Sequence, residues 1–260
     1  FDIADPMGTS TCVACGECVQ ACPTGALLEK TPPVNVDREV RSLCPYCGVG
    51  CQVTYKIAND RIVGMAGRNG PGNLNRLCVK GRFGLDYVHH PHRLTTPLIR
   101  RDDAPKIPDP EFDAGDWRKI FREATWEEAL DLAASGLTSI RQNKGDKALA
   151  GFGSAKGSNE EAYLVQKLVR TGFGSNNVDH CTRLCHASSV AALMEGIGSG
   201  AVTAPFTAAK DADVIIVIGS RPAQNHPVAA TFIKNAKQDG ATLIVMDPRG
   251  QGLTRHADHM

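Results

Sequence analysis

Cys44-Pro-Tyr-Cys47-Gly-Val-Gly-Cys51, followed after 26 residues by Cys78-Val-Lys80-Gly81, decides how this chain is organised. Three closely spaced thiols and one distant thiol supply one ligand for each iron of a [4Fe–4S] cube. Upstream lies a second run, Cys12-x2-Cys15-x2-Cys18-x3-Cys22-Pro23, with bacterial ferredoxin spacing. Eight of the ten cysteines fall in these two runs, leaving Cys181 and Cys185. Neighbours within a run are too close to pair comfortably as disulfides, and disulfide scaffolds are usually short chains. Zinc is the competing reading, because Cys-x2-Cys pairs also build tetrahedral sites. The burst of Cys12, Cys15 and Cys18 before Cys22-Pro23 favours iron–sulfur, and with it a reducing cytoplasm.

Around these runs the composition is that of a globular chain. With 260 residues and 42% hydrophobic content it has room for one large domain or two to three small ones. A net charge of +1 gives no electrostatic case for nucleic acid or an anionic membrane. The longest apolar runs, Val214–Ile218 and Leu243–Met246, fall far short of the roughly 20 residues of a membrane span. No signal peptide is visible at Phe1, and the chain, which does not begin with Met, reads as a piece of something longer.

Residues 1–30 read as a turn-rich cluster segment, with Thr31-Pro32-Pro33 as a stiff connector. A small [4Fe–4S] domain is expected over 31–95. Its hairpin spans 52–66, with Val53, Tyr55 and Ile57 alternating before Asn59-Asp60, and occupies the long interval between Cys51 and Cys78. Residues 96–116, rich in Pro and acidic side chains, read as an exposed linker. Thr125-Trp-Glu-Glu128 is a capping box that opens a helix.

Beyond it, over 117–260, strands alternate with helices. Expected strands are 148–152, 214–218 and 243–246; expected helices are 159–171, stopped by Gly172, and one from Pro227 to Gly240. Short apolar strands between helices predict an α/β fold, a doubly wound parallel sheet that is incomplete here. Ligands of such sheets bind at the carboxyl ends of strands, which carry Gly153–Gly157, Gly219–Arg221 and Asp247–Arg249. There is no Gly-x-Gly-x-x-Gly fingerprint, and plain turn chemistry would also account for these loops.

Cys185 stands in His180-Cys-Thr-Arg-Leu-Cys-His186, just before Ser188-Ser189 and a run, Val190–Met194, that reads as the start of a helix. A thiol near a helix N-terminus has a lowered pKa, which favours the thiolate needed for metal ligation. His186 beside it can exchange a proton near neutral pH. A buried Cys that merely packs is the alternative, and the residues alone do not decide between them.

The Cys44–Cys51 run, the Cys78-Val-Lys80-Gly81 end, Arg-Leu-Cys185-His186-Ala-Ser and Asn225-His226-Pro-Val together resemble the molybdopterin oxidoreductase family. Within it, the resemblance is to catalytic alpha subunits of soluble NAD-dependent formate dehydrogenases. It implies molybdenum or tungsten held by two pterin guanine dinucleotides, with Cys185 as protein ligand where many relatives carry selenocysteine. His186 matches the family's active-site histidine, and Lys80 the lysine between a pterin and the cube. Lys156, Gly219, Ser220, Arg221, Asn225, His226, Asp247 and Arg249 lie in the loops that hold the pterin guanine dinucleotides. Arg221 departs from the pattern, since many relatives carry Asn there.

The same resemblance implies formate oxidation to carbon dioxide. Electrons then pass by Lys80 and the clusters to a flavin- and NAD-binding beta subunit that carries its own clusters. It also implies that the catalytic subunit continues beyond Met260, where a second active-site residue, an arginine, is expected. Cys12, Cys15 and Cys18 then need a fourth ligand upstream of Phe1, while Cys22 serves an upstream cluster. On its own this stretch is expected not to turn over. Two rival readings remain: a nitrate reductase-type molybdoenzyme, and a non-catalytic electron-transfer subunit of a complex I-like assembly. In nitrate reductases the residue after the metal Cys is typically not His, and an electron-transfer module has no use for Cys185 or His186.

Overall fold

The computed structural model describes residues 12–29, 34–106 and 114–260. They fall into two compact units, Phe1–Pro91 with Val202–Met260, and His92–Ala201. The connector expected at 31–33 lies outside the described residues.

The first unit begins with helix α1 (Glu17–Ala21), whose N-cap Gly16 takes a left-handed φ of 74°. Strands β1 (Arg38–Leu43), β2 (Gln52–Ala58) and β3 (Arg61–Gly67) form an antiparallel sheet in that order. Asn59 and Asp60 link β2 to β3 with φ of 49° and 57°, both positive as a two-residue type I′ turn requires. The hairpin expected here is present. As the middle strand, β2 buries Val53 completely, whereas every residue of β1 is exposed. That exposure is why β1 escapes a reading based on hydrophobic alternation. Helix α2 (Val79–Phe83) follows directly on Cys78.

In the second unit, β4 (Leu98–Arg100) pairs antiparallel with β5 (Phe121–Glu123). The stretch expected to be only linker therefore holds a strand and the start of a 3₁₀ turn, Ala114–Lys119. Leu98 and Ile99 are half-buried there, a short apolar pair hidden among prolines and acids. Helix α3 (Trp126–Lys144) opens as expected, the Glu128 N–H donating to Thr125 Oγ1 at 3.1 Å. Strand β6 (Gly151–Gly153) starts later than expected, because Asp146–Ala148 closes a 3₁₀ turn first.

Helix α4 (Asn159–Lys167) carries a full capping box between Ser158 and Glu161. Gly172 does not stop it. The backbone instead widens into a π-turn over Leu168–Phe173 and ends at Gly174, φ 73°, while Val169 and Phe173 pack on Leu149. Strand β7 (Val178–His180) runs parallel to β6, and helices α5 (Thr182–Cys185) and α6 (Ala187–Ile197) follow.

The remainder of the first unit contributes β8 (Val214–Ile218), α7 (Pro222–Asn225), α8 (Pro227–Gln238) and β9 (Thr242–Met246). Strands β8 and β9 are parallel, from Val214 opposite Thr242 to Ile218 opposite Met246. One face packs Val217, Leu243, Val245 and Leu253 with Ile233 of α8. Complete burial of Leu243 and Val245 contributes about 1.5–3 kcal/mol each. On the other face Val214, Ile216, Ile218 and Met246 are exposed. His259 bridges the far edge of β9, while β8 pairs only with β9 among the described residues. The α/β character expected of this stretch thus takes the form of two separate parallel pairs, β6–β7 and β8–β9.

Candidate iron–sulfur and cofactor sites

Strands β1 and β2 end side by side, Leu43 opposite Gln52, so Cys44 and Cys51 close the same end of the sheet. The Cys44 N–H donates to the Cys51 carbonyl at 2.9 Å, and Gly50, φ 66°, turns the loop between them. Cys78 reaches the same place as the N-cap of α2. Cys44, Cys47 and Cys78 pack against the core cluster that contains Cys51, Val49, Val53, Met65 and Leu77. A Cβ at Gly81 would stand 3.5 Å from Cys44 Sγ, so α2 lies close over the thiols. The structure therefore gathers all four sequence-predicted ligands.

Electrostatics reports the same proximity. Desolvation, then repulsion from Cys44, Cys47 and Cys78, pushes the Cys51 thiol up to about 12. Burial also raises Cys44, Tyr46 and Tyr55. Four thiols crowded in an apolar corner become thiolates only beside cationic charge, which iron supplies. Among the described residues no three metal-ligating side chains close on a single ion.

The upstream run winds around α1. Cys12 and Cys15 precede it, Cys18 lies within it and Cys22 caps its end. The Cys22 thiol is lowered to about 7 by the Thr24 hydroxyl and by backbone bonds around Thr24–Leu27, which favours its thiolate.

In the second unit, parallel pairing puts Gly153 opposite His180, so two loops leave from one end of the β6–β7 pair. The first carries Lys156, whose N–H donates to Ser154 Oγ at 3.1 Å. The second holds Cys181, Cys185 and His186. It is fixed at its start by Arg183 Nε donating to Asp179 at 2.8 Å and by a 2.7 Å bond between His180 Nδ1 and Thr182 Oγ1. Cys185 is exposed at the last position of α5, and His186 is the N-cap residue of α6. The helix expected after Cys185 is thus present and begins at Ala187, closer than the sequence indicated.

At the carboxyl ends of β8 and β9 the loops join. Gly219, φ 58°, donates its N–H to the Met246 carbonyl at 3.0 Å, Arg221 donates to the Gly250 carbonyl at 3.1 Å, and Gln251 Nε2 donates to the Ser220 carbonyl at 2.8 Å. Asp247 accepts the Arg249 N–H at 2.8 Å and lies 3.9 Å from Arg221 Nε, an ion pair too long for a hydrogen bond. Asn225 ends α7 and His226 caps α8, its ring tilted against Phe206. Arg221 Nε and Gln251 Oε1 are buried without a hydrogen-bond partner. A buried donor and acceptor left open cost free energy unless a ligand meets them, so this strand end suits a polar dinucleotide. Gln251 escaped the sequence reading, although it stands only two residues beyond Arg249.

Residues 93–260 match the model of the molybdopterin oxidoreductase family, 37–90 its Fe4S4 domain and 8–28 a 4Fe-4S binding domain. Together these matches assign [4Fe–4S] clusters and a molybdopterin cofactor to the chain. It is 38% identical to the alpha subunit of F420-dependent formate dehydrogenase 2 from Methanococcus maripaludis, covering 84% of this chain and 30% of that protein. It is 35% identical to formate dehydrogenase H of Escherichia coli over 85% of this chain and 30% of that protein. To the probable oxidoreductase YjgC of Bacillus subtilis it is 33% identical, over 97% and 28% respectively. The chain therefore spans under a third of these relatives. In fold it is similar to acetylene hydratase from Pelobacter acetylenicus, with a TM-score of 0.65 at 20% identity, covering 84% of this chain and 28% of that one. The gathered thiols, the open strand-end loops and these matches agree: the chain belongs to the molybdopterin oxidoreductase family.

Proposed function

We propose that the complete protein oxidises formate to carbon dioxide and sends the electrons onward through its [4Fe–4S] clusters. The observation that supports this most is the exposed Cys185-His186 pair at the carboxyl end of β6–β7, in a chain whose relatives include proteins named formate dehydrogenase. When bound, the pterin-held molybdenum or tungsten supplies the two-electron sink. Cys185 offers a thiolate to that metal. His186 takes the proton as HCOO⁻ becomes CO₂, H⁺ and two electrons. The Lys156 loop and residues Gly219, Ser220, Arg221, Asn225, His226, Asp247 and Arg249 hold the guanine dinucleotides, with Gln251 added to the set. Lys80, exposed on α2 beside the cube ligands, places a cation where electrons enter the cube.

Cys44, Cys47, Cys51 and Cys78 hold the cube, and the Cys12–Cys22 run carries ferredoxin-type ligands. The working partners are the rest of the same subunit and a cytoplasmic beta subunit that passes electrons to NAD. Among the described residues no helix is long and apolar enough to cross a membrane. The test is formate-dependent dye reduction by the full-length protein, with its molybdenum, tungsten and iron content measured. A preparation with a full metal and iron complement that leaves formate untouched would overturn the reading.

A further inference from the structure

Arg82 is the most deeply buried ionised side chain beside either cysteine run, only 4% exposed. All three of its guanidinium nitrogens are used, and all three reach into the upstream run. Nε donates to the Cys15 carbonyl at 2.7 Å, Nη1 to Gln20 Oε1 at 2.7 Å and Nη2 to Glu17 Oε1 at 2.5 Å. The carboxylate and amide that receive it reach back. Glu17 Oε1 also accepts the N–H of Leu77, the residue before Cys78, at 2.8 Å. Gln20 Oε1 accepts the Gly67 N–H at 3.1 Å, and its Nε2 donates to the Asn75 carbonyl at 3.0 Å. Helix α1 buries no side chain of its own, so these polar contacts define its seat.

Two further observations tie the lock to the clusters. Arg82 belongs to α2, the helix that Cys78 caps and that lies over Cys44, and its N–H donates to the Cys78 carbonyl at 3.0 Å. One short helix therefore touches a ligand residue of each run. At Gly16, next to Cys15, a Cβ would stand 2.4 Å from Arg82 Cδ, and φ is already +74°. Only glycine lets the arginine pass.

We propose that Arg82, with Glu17 and Gln20, is a positioning lock that sets the placement of the cluster held by Cys12, Cys15 and Cys18 against the Cys44–Cys78 cube, and with it their electron exchange. The inference rests on the reading that both runs carry clusters. In the step concerned the reduced cube loses one electron, the oxidised upstream cluster gains it, and no bond forms or breaks. A buried ion pair is weak evidence for added stability, but breaking one is costly and such pairs are suited to fixing a register.

The test uses the full-length, iron-loaded protein and its Arg82→Met variant. Expected are an unchanged iron count and cube signal, loss of the magnetic splitting between the two reduced clusters, and slower cluster-to-cluster transfer. Hydrogen exchange at the amides of residues 16–22 should accelerate in the variant, with or without iron. If Arg82→Met does not fold, Gln20→Leu, at an exposed position, should give the same changes in weaker form. Splitting, transfer rate and amide exchange that stay at wild-type values in the folded variants would overturn the proposal. A wild-type protein lacking iron at the upstream run would instead overturn the cluster reading, and amide exchange would still decide whether Arg82 seats α1.

Discussion

Asn73 Oδ1 accepts the backbone N–H of Gln52 at 3.0 Å, and its Nδ2 returns a bond to the Gln52 carbonyl at 3.2 Å. The same amide nitrogen also reaches the carbonyls of Arg68 and Arg76, and the side chain is wholly buried. One amide thus ties the residue after Cys51 to the loop that delivers Cys78. Asn73→Ala leaves several buried backbone groups open and should cost roughly 3 kcal/mol. Urea unfolding of the iron-free protein checks this, and a loss under about 1 kcal/mol would show that water replaces the amide.

The raised thiol of Cys51 makes the iron-free fold sensitive to alkali. A thiol held above its unfolded value keeps its proton longer in the folded state, so stability falls as pH rises. The window opens at the unfolded value of about 8.5 and runs toward about 12. Cys44, Tyr46 and Tyr55 are shifted the same way and add to the slope. Melting temperature of the iron-free protein should decline across this range, and less steeply in Cys51→Ala. A flat profile would mean the four thiols are not crowded in solution.

Cys47→Ser should abolish the reduced-state resonance of the cube while the other clusters keep theirs. Lys80→Ala should leave the cube loaded and slow formate-driven reduction of the terminal acceptor severalfold. Four irons and a full signal in the serine variant would refute the ligand assignment. Unaltered turnover in Lys80→Ala would leave that lysine a solvated cation and nothing more.

In the full-length protein, Cys185→Ala should lose nearly all formate oxidation with the iron–sulfur signals intact. His186→Ala should lower turnover and change its pH profile while the metal stays bound. X-ray absorption at the metal edge gives the direct check. An identical sulfur count with and without Cys185 would remove it from the coordination sphere.

Local chemistry made part of this fold readable. Asn59-Asp60 names its own turn, Thr125 and Glu128 name a helix start, and Val214–Ile218 can be little but a buried-type strand. Elements held by partners distant in sequence were silent. Exposed β1 carries no apolar face, and β7 is Val-Asp-His, which becomes a strand only because β6 lies beside it. Gly172 misled because buried Val169 and Phe173 carry the turn past it. The cysteine ligands were legible because short spacings leave few ways to converge. Arg82 was not, since its three acceptors lie 62 to 67 positions away.

Strand β8 has a further consequence for how the protein behaves outside its assembly. Five consecutive β-branched residues without a charge stand on a strand whose second edge has no partner among the described residues, with Val214, Ile216 and Ile218 bare on one side. Such a segment is a template for cross-β growth by further copies, held back only by the flanking charges Asp213 and Arg221. Ile216, 58% exposed, contributes little to the fold and much to that hazard. Ile216→Lys should therefore delay thioflavin-positive fibrils at elevated temperature with little change in melting point, adding a charge within the strand to those that flank it.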